Sequence, residues 1–432
     1  MRWPASARHN AFYELLAAFD GPGCALCRIT RRSGARLLAE ISFESVNDRE
    51  VRDRLRRSRG LCSWHAWDLL DDTRDPYGAA FIYHDVLHAI LVEADAGADI
   101  TRQESPCLIC DAVAAAERRN LGILLEDVEA AELRQHLVAS GGLCRSHFRS
   151  ALLTGGRSVV NVLESQREVL RGASRPGWAP TGALPDPRTA SVRAGGARHR
   201  RPADDVPAEP LVLLLAGPRP MHWTAGDLNF AATRCVSCRH GAEAAYEVID
   251  RVAPGAPLCS SHLWVMLDRR GPQVARALVE PTAAALSSTI EDLGEQVVRA
   301  KTLRLGPLAI RLPAAEQALR AIQQRVGSVA DCVACKEFRE VARAERAGPR
   351  CRLHLAGADR ARIDESVHWW RELDAEVAEY LRKSDYRFRD EVRGPEQSAP
   401  WRVVQALSGD RGLPPERAYT AGRPHKEDSS NT

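Results

Sequence analysis

The chain has 432 residues, of which 44% are hydrophobic, and its formal net charge is +3 at neutral pH. This length exceeds what one ordinary core accommodates, so we expect two domains of about 150 to 200 residues each. The near-neutral charge lacks the excess of basic residues that is typical of strong nucleic-acid binding.

The start of the chain and its apolar runs predict a soluble protein. Met1–Asp20 has no basic segment followed by a sustained apolar run, which argues against a signal peptide. Leu211–Ala216, the longest strongly apolar stretch, is far shorter than the roughly 20 residues that span a bilayer. We therefore expect a cytoplasmic protein without membrane contact, in which twelve cysteines serve metal binding or thiol chemistry rather than disulfides.

Apolar residues recur at helical spacing along most of the chain and predict a mainly α fold. In the first half, the predicted helices are Ala11–Phe19, Arg28–Ile41, Arg49–Arg57, Phe81–Val92, Ala112–Arg119, Leu124–Val138 and Val159–Val169. In the second half, they are Gly241–Ile249, Val274–Leu278, Ala284–Ala300, Ala314–Val326 and Ser366–Leu381. Leu211–Leu215 and Leu308–Leu312 are the only plausible short strands.

The hydrophobic periodicity stops between Leu170 and Pro210, where Gly, Pro, Ala and Arg dominate. Such a composition buries too little apolar surface to become ordered, so it predicts a linker. The predicted organisation is an N-terminal helical half over residues 1–172, a disordered linker over 173–210, a C-terminal helical half over 211–410 and a flexible tail over 411–432.

The cysteines form a four-fold internal repeat, in which a C-x-x-C pair is followed by a C-x-x-H pair. Every cysteine is used once, and each half of the chain contains two of these modules. We therefore interpret the two tandem halves as a duplicated two-module unit. The sixteen candidate metal ligands, module by module, are Cys24, Cys27, Cys62 and His65; Cys107, Cys110, Cys144 and His147; Cys235, Cys238, Cys259 and His262; and Cys332, Cys335, Cys351 and His354.

Three thiolates and one imidazole are the ligands of a tetrahedral structural zinc site, and a two-residue gap lets both members of a pair reach one ion. The pattern therefore predicts about four Zn²⁺ per chain. Helical periodicity begins just after each pair, which predicts that the ligands lie at helix N-termini, where backbone N–H groups stabilise thiolates. The gaps between the two pairs are 34, 33, 20 and 15 residues, so each module is able to form its own site. A site that is shared between two modules remains the alternative.

Other uses of these cysteines fit less well. Thioredoxin-like redox sites need a βαβ context and no partner C-x-x-H. Iron–sulfur binding by three cysteines and a histidine is rarer than zinc binding and stays an alternative. Haem attachment would need a histidine directly after C-x-x-C, where this chain has Arg28, Asp111, Arg239 and Lys336.

A few residues outside the repeat are weaker candidates. His84 and His88 stand four residues apart on a predicted helix and could bind metal, although packing or surface roles are the simpler interpretation. His240 could replace a ligand of the neighbouring C-x-x-C. Tryptophans beside the C-x-x-H pairs are expected to shield the metals from solvent, and the pair Trp369–Trp370 is expected to bury at least one ring. The shielding tryptophans are Trp64, Trp67 and Trp264.

The motifs resemble an uncharacterised bacterial family, a domain of unknown function, whose members carry G-C-x-L-C, then G-x-C-x-x-H-A-W, and later D-Y-R-x-x-D-E followed by Trp. Here these are Gly23–Cys27, Gly60–Trp67, Asp385–Glu391 and Trp401. The resemblance extends over most of residues 10–410 and implies a cytoplasmic zinc-binding protein of unknown activity, and it supplies no catalytic residue. The chain departs from the pattern at Ala25, where proline is common, and in its short fourth module.

Four closed Cys3His sites leave no open coordination position, so we expect structural ions whose binding energy contributes to folding. The leading hypothesis is a non-enzymatic scaffold or adaptor that binds a protein partner through its helical surfaces. The alternatives are a zinc-dependent nucleic-acid-binding protein and a metal or redox sensor that uses the cysteine clusters. No catalytic triad, P-loop or dinucleotide motif is present.

Overall fold

The fold is known from a computed structural model, which describes residues 10–21, 23–154, 159–173, 212, 215, 234–302, 332–344, 347–388 and 390–409. Over these residues every regular element is helical, which confirms the predicted mainly α fold. None of the described helices is long and apolar enough to cross a membrane.

Nine α-helices are described before residue 174. They are α1 (Asn10–Phe19), α2 (Ala25–Phe43), α3 (Arg49–Arg57), α4 (Ser63–Thr73), α5 (Pro76–Asp95), α6 (Leu108–Asp127), α7 (Ala131–Ala139), α8 (Arg145–Thr154) and α9 (Val159–Ala173). The predicted helix Leu124–Val138 is wrong as one element, because the chain leaves α6 at Asp127 and starts α7 at Ala131. Helices α4 and α8, which begin at the two C-x-x-H pairs of the first half, are not among the predicted helices.

Five further α-helices are described after residue 233. They are α10 (Val236–Arg251), α11 (Ser260–Thr302), α12 (Val333–Arg343), α13 (Arg360–Lys383) and α14 (Ala399–Ser408). Short 3₁₀ helices cover Arg352–His354, Tyr386–Phe388 and Pro395–Ser398. A break at Gly271, whose φ is 77°, interrupts α11 just before Pro272.

Three predicted segments of the second half lie wholly or partly outside the described residues. The predicted helix Ala314–Val326 and the predicted strand Leu308–Leu312 lie outside the described residues. Of the predicted strand Leu211–Leu215, only Val212 and Leu215 are described, and both have helical backbone, which contradicts a strand there.

The chain divides into two compact units. Unit 1 comprises Met1–Gly34, Asp111–Pro220 and Glu247–Ser328, and unit 2 comprises Ala35–Cys110, Met221–Tyr246 and Val329–Thr432. These units do not coincide with the two predicted halves, because each unit contains segments from both sides of the predicted linker. Independent folding of the halves therefore stays a prediction, and the linker and tail lie outside the described residues apart from Ala173.

Within unit 1, α9 packs against α7, α8 and α11, and α1 packs against α7. Arg167 and Arg171 of α9 both contact the carboxylate of Glu291 on α11, at 3.3 Å and 3.0 Å. Phe148 and Leu15 are fully buried, as is much of the apolar face of each helix. Apolar burial therefore surrounds the start of α8, which carries ligands of one cysteine group.

Within unit 2, α5 is the central helix and packs against α3, α13 and α14. Its Tyr83 and Leu87 are fully buried, and so is Trp370 of α13. Trp369 is 3% exposed, so both rings of the Trp369–Trp370 pair are buried, and the prediction that at least one ring is buried is confirmed.

Candidate metal centres

All eight ligand pairs start a helix, as predicted. In each pair the first cysteine directly precedes the helix and the second ligand lies three residues later, in the first turn. Seven pairs start α-helices, and the pair at Cys351 starts the 3₁₀ helix Arg352–His354. Unpaired backbone N–H groups at this end of a helix favour negative charge, which stabilises thiolates.

The sixteen predicted ligands come together as four groups of three cysteines and one histidine, whose ligand atoms lie within 4.8 Å of one another. The spacing allowed either closure within a module or sharing between modules, and the structure contradicts closure within a module. In both halves, the C-x-x-C of the first module forms a group with the C-x-x-H of the second module. The C-x-x-H of the first module forms a group with the C-x-x-C of the second. The groups are Cys24, Cys27, Cys144 and His147; Cys62, His65, Cys107 and Cys110; Cys235, Cys238, Cys351 and His354; and Cys259, His262, Cys332 and Cys335.

We name the first three groups by position: the outer N group (Cys24, Cys27, Cys144, His147), the inner N group (Cys62, His65, Cys107, Cys110) and the outer C group (Cys235, Cys238, Cys351, His354). Each lies within one compact unit, the outer N group in unit 1 and the other two in unit 2. Residues joined in an outer group are far apart in sequence, for example 117 positions from Cys27 to Cys144. Tertiary packing, and not local chain closure, therefore forms these groups.

A backbone hydrogen bond brings the two pairs of the outer N group together. The N–H of Gly23, just before Cys24, donates to the carbonyl of Ser140 at 2.5 Å. In the outer C group the N–H of Val236 donates to the carbonyl of Pro349 at 3.2 Å. Each outer group therefore has a hydrogen bond between the segments that carry its two ligand pairs.

The inner N group is joined in a similar way by the segments before its two pairs. The N–H of Glu104 donates to the carbonyl of Arg57 at 3.0 Å, and the side-chain amide of Gln103 donates to the carbonyl of Ser58 at 2.8 Å. The guanidinium of Arg59 donates to the carbonyl of Arg102 at 3.1 Å and is paired with Glu93. These bonds bring the segment before Cys62 beside the segment before Cys107.

The glycine before each N-terminal C-x-x-H pair has a conformation that other residues rarely adopt. Gly60 and Gly142 have φ values of 89° and 76°. A Cβ on Gly60 would lie 3.1 Å from the Tyr83 ring, and one on Gly142 would lie 2.8 Å from Gln166 Oε1. The repeated Gly-Leu-Cys sequence is thus explained by a turn that packs tightly against a buried polar side chain.

Buried polar side chains hold the residue before each of these cysteines. Gln166 accepts from Leu143 N at 3.0 Å and donates to Leu143 O at 2.9 Å. Tyr83 Oη accepts from Leu61 N at 3.2 Å, and Ser408 Oγ donates to Leu61 O at 2.8 Å. These positioning residues were not predicted from the sequence, because nothing in their spacing links them to the cysteines.

Ligand atoms in the groups are separated by distances that suit one tetrahedral ion. In the outer N group, Cys27 Sγ lies 3.2 Å from His147 Nδ1 and 3.5 Å from Cys144 Sγ. In the inner N group, Cys62 Sγ lies 3.3 Å from His65 Nδ1 and 3.6 Å from Cys110 Sγ. A tetrahedral zinc with Zn–S of about 2.3 Å and Zn–N of about 2.0 Å separates its ligands by roughly 3.5–3.8 Å, so the donor set and the spacing both fit Zn²⁺.

The outer N group also has a carboxylate behind its histidine. Glu117 Oε1 lies 3.6 Å from His147 Nε2 and accepts a hydrogen bond from Ser150 Oγ at 3.1 Å. Because Nδ1 faces the cysteines, Nε2 is the ring nitrogen that carries the proton and points to the carboxylate. Glu117 is a further positioning residue that was not predicted from the sequence.

Thiol and imidazole charges are redistributed inside the groups. Hydrogen bonds from Cys110 and Cys62 lower the pKa of Cys107 well below its usual value, against the effect of burial. Burial alone would lower the pKa of His65, but hydrogen bonds and charge from Cys107 and Cys110 outweigh it and raise that pKa to about 10. Burial would also lower the pKa of His354, but the charges and hydrogen bonds of Cys351 and Cys235 outweigh it and raise that pKa to about 10. Because cysteine binds a metal as the thiolate and histidine as the neutral imidazole, binding of a divalent ion would release the protons that these ligand atoms carry.

Other predicted candidates lie outside the groups. His240 pairs with Glu243 at 3.1 Å, and His354 supplies the imidazole of the outer C group, so His240 does not replace a ligand. Trp67 is buried in the first turns of α4, and its Nε1 donates to the carbonyl of Gly409 at 3.1 Å. Trp264 is buried close to the start of α11, whereas Trp64 is half-buried. His84 and His88 belong to none of the four groups.

Comparison with known proteins gives a distant bacterial similarity. The chain is 24% identical over 164 residues to the "Uncharacterized 23.9 kDa protein in xynA 3'region" of Caldicellulosiruptor sp. (strain Rt8B.4). The alignment covers 35% of this chain and 79% of that protein. No family model and no solved structure matches the chain. The chain is therefore distantly similar in part to an uncharacterised bacterial protein and carries four Cys3His groups that could each hold a metal ion.

Proposed function

We propose that the protein is a zinc-stabilised helical scaffold that binds a protein partner and performs no catalysis at its metal centres. The observation that carries this proposal is the composition of the groups: each offers four protein ligands, three thiolates and one imidazole, within 4.8 Å. Four protein ligands complete a tetrahedral shell, whereas a catalytic zinc keeps one position for water or substrate.

The distances favour a single ion over an iron–sulfur cluster. Sulfur atoms of Cys238 and Cys351 lie 3.6 Å apart, as do those of Cys62 and Cys110. A cluster would hold its cysteines farther apart, because they bind different iron atoms. Burial of most of the cysteines also limits access by oxidants, which supports a structural ion over a redox sensor.

The repeated pairing supports an origin by duplication. Both halves use the same exchange of outer and inner pairs, and no group mixes ligands from the two halves. The similar protein of Caldicellulosiruptor has a mass of 23.9 kDa, about half of the 47.5 kDa of this chain. A chain of twice that mass fits our proposal that two copies of a two-group unit were joined.

Metal analysis tests the proposal. The purified chain should contain close to four zinc atoms and, under native conditions, few thiols that react with a thiol reagent. Strong chelation should expose all twelve cysteines and lower the helix content, because binding energy contributes to folding. Two or fewer zinc atoms, with reactive thiols, would contradict the proposal.

The kind of partner is tested separately from the metal content. Binding of a protein that persists at high salt supports the scaffold, since apolar helical surfaces are insensitive to screening. A salt-dependent gel shift with nucleic acid would instead favour a nucleic-acid-binding protein. Reversible zinc release by mild peroxide, with loss of partner binding, would favour a sensor.

A further inference from the structure

Two histidines of α5 face one carboxylate of α13 in unit 2. His84 Nε2 lies 3.5 Å from Asp374 Oδ1, and His88 Nδ1 lies 3.9 Å from Asp374 Oδ2. The two histidines are one helical turn apart, which places them on the same face of α5. The spacing of the two histidines is visible in the sequence, whereas the carboxylate lies 286 positions after His88 and is brought beside them only by the fold.

The carboxylate of Asp374 is incompletely satisfied. Its side chain is 23% exposed, and among the described residues Oδ1 is buried without a hydrogen-bond partner. Removing a charged oxygen from water without a donor is costly, so this position favours an added cation or proton. Nearby charges are already paired: Arg371, one turn before Asp374, contacts Asp95. Asp85, next to His84, contacts Arg52 and Arg56.

We propose that His84, His88 and Asp374 bind one exchangeable divalent transition-metal ion of the Zn²⁺, Co²⁺ or Ni²⁺ type, separate from the cysteine groups. Two histidines at i and i+4 on one helix face can bind zinc, and a carboxylate from a second element supplies a third ligand. Water completes the coordination of such a site.

Binding requires the two rings to converge. Their centroids are 6.4 Å apart with the ring planes 42° from each other. The side chain of His88 is 67% exposed and that of His84 is 31% exposed. The ring of His88 in particular can therefore rotate toward a shared ion without disturbing the core. Asp374 already lies within 3.9 Å of a nitrogen of each ring, which makes it the fixed point of the site.

The chemistry of the ligands sets how this site behaves. Nitrogen and oxygen ligands suit borderline divalent ions, and three protein ligands bind less tightly than three thiolates with an imidazole. The partly exposed position also allows exchange with solvent. The ion at His84, His88 and Asp374 would therefore respond to free metal while the ions of the cysteine groups stay bound.

Calorimetric titration of Zn²⁺ into the full chain, purified with its resident metal, tests the proposal. One further equivalent should bind, and the double variant His84→Gln/His88→Gln should lose it or bind it at least about 10-fold more weakly. The matched control is His368→Gln, since His368 is an exposed histidine of α13 that pairs with Glu372 and should leave the titration unchanged. Asp374→Asn, which keeps the size of the side chain, should weaken binding in the same direction.

A spectroscopic probe identifies the ligands. Co²⁺ added to the metal-loaded chain should give ligand-field absorption without a sulfur-to-cobalt charge-transfer band, because no thiolate takes part. Circular dichroism should show that the double variant keeps its helices. The proposal is overturned if no further equivalent binds, if the double variant binds as the parent does, or if the charge-transfer band shows that added cobalt has entered a cysteine group.

Discussion

Each ligand histidine directs Nδ1 toward its cysteines, as His147, His65, His354 and His262 all do. Binding through Nδ1 leaves Nε2 on the far side of the ring, where its proton needs an acceptor. In the outer N group that acceptor is Glu117, whose carboxylate is itself oriented by Ser150. Such outer contacts fix the ring and increase the basicity of the ligating nitrogen.

Replacing Glu117 by alanine should therefore weaken one metal centre without removing a ligand. We expect the affinity of the outer N group for zinc to fall by roughly 10–100-fold. A colorimetric chelator should then remove about one of the four zinc ions at a lower concentration than from the parent chain. Glu126→Ala is the control, because Glu126 is an exposed residue of the same helix. Equal chelator resistance in both variants would show that Glu117 does not support His147.

At the scale of elements, α3 is held in place by charge more than by burial. Its nine residues include five arginines, and only Leu55 is buried. Arg52 and Arg56 both bond to Asp85 of α5, which is 15% exposed at its side chain. Burial would raise the pKa of Asp85, but hydrogen bonds from Arg56 and Arg52 outweigh it and lower the pKa. Since α3 leads directly to Arg59 and Cys62, this contact also positions the inner N group.

Asp85→Asn should lower the free energy of unfolding by roughly 1–2 kcal/mol near neutral pH, because two guanidinium groups lose a charged acceptor. A depressed pKa means that the stabilisation is present above the ordinary value of 3.8 and is lost as pH falls through the lower folded-state pKa. The difference from the parent chain should thus persist from neutral pH to about pH 4 and shrink only below it. Denaturant unfolding at several pH values measures this.

The matched control for Asp85 is Asp53→Asn. Asp53 is 45% exposed and contacts Arg56 at 3.1 Å and Arg49 at 3.9 Å, both from the same helix. Exposed pairs contribute little, so this variant should stay within about 0.5 kcal/mol of the parent. A loss in Asp53→Asn as large as in Asp85→Asn would contradict the anchoring of α3 through α5.

At the scale of the whole molecule, the sequence predicts which sixteen residues form the cysteine–histidine groups but not which pairs combine. The spacing of C-x-x-C and C-x-x-H and the onset of helical periodicity predict all sixteen residues and their place at helix N-termini. They cannot select the pairing, because any C-x-x-C can complete any C-x-x-H, and the gaps permit local closure. The choice depends on tertiary contacts, such as the hydrogen bond from Gly23 to Ser140 and the packing of α1 on α7.

Each group takes one ligand pair from each module of a half, so metal binding by one module depends on the other. Cys27 belongs to the group that also contains Cys144, so a substitution of Cys27 in the first module would release the ion that we propose Cys144 of the second module helps to bind. With local closure, the same variant would release an ion held by Cys62 instead. The two arrangements therefore predict opposite coupling between pairs of substitutions.

Zinc counts on double variants distinguish these arrangements. If the chain binds four zinc ions, Cys27→Ser and Cys144→Ser should each retain about three, and their combination should still retain about three, because both ligands belong to the outer N group. Cys27→Ser combined with Cys62→Ser should retain about two, since those residues belong to different groups. In the C-terminal half, Cys238→Ser with Cys351→Ser should repeat the first result and retain about three. Elemental analysis of the folded proteins gives the counts, with circular dichroism to confirm that helices remain. Two ions in the Cys27/Cys144 double variant and three in the Cys27/Cys62 double variant would restore local closure and contradict the exchanged pairing.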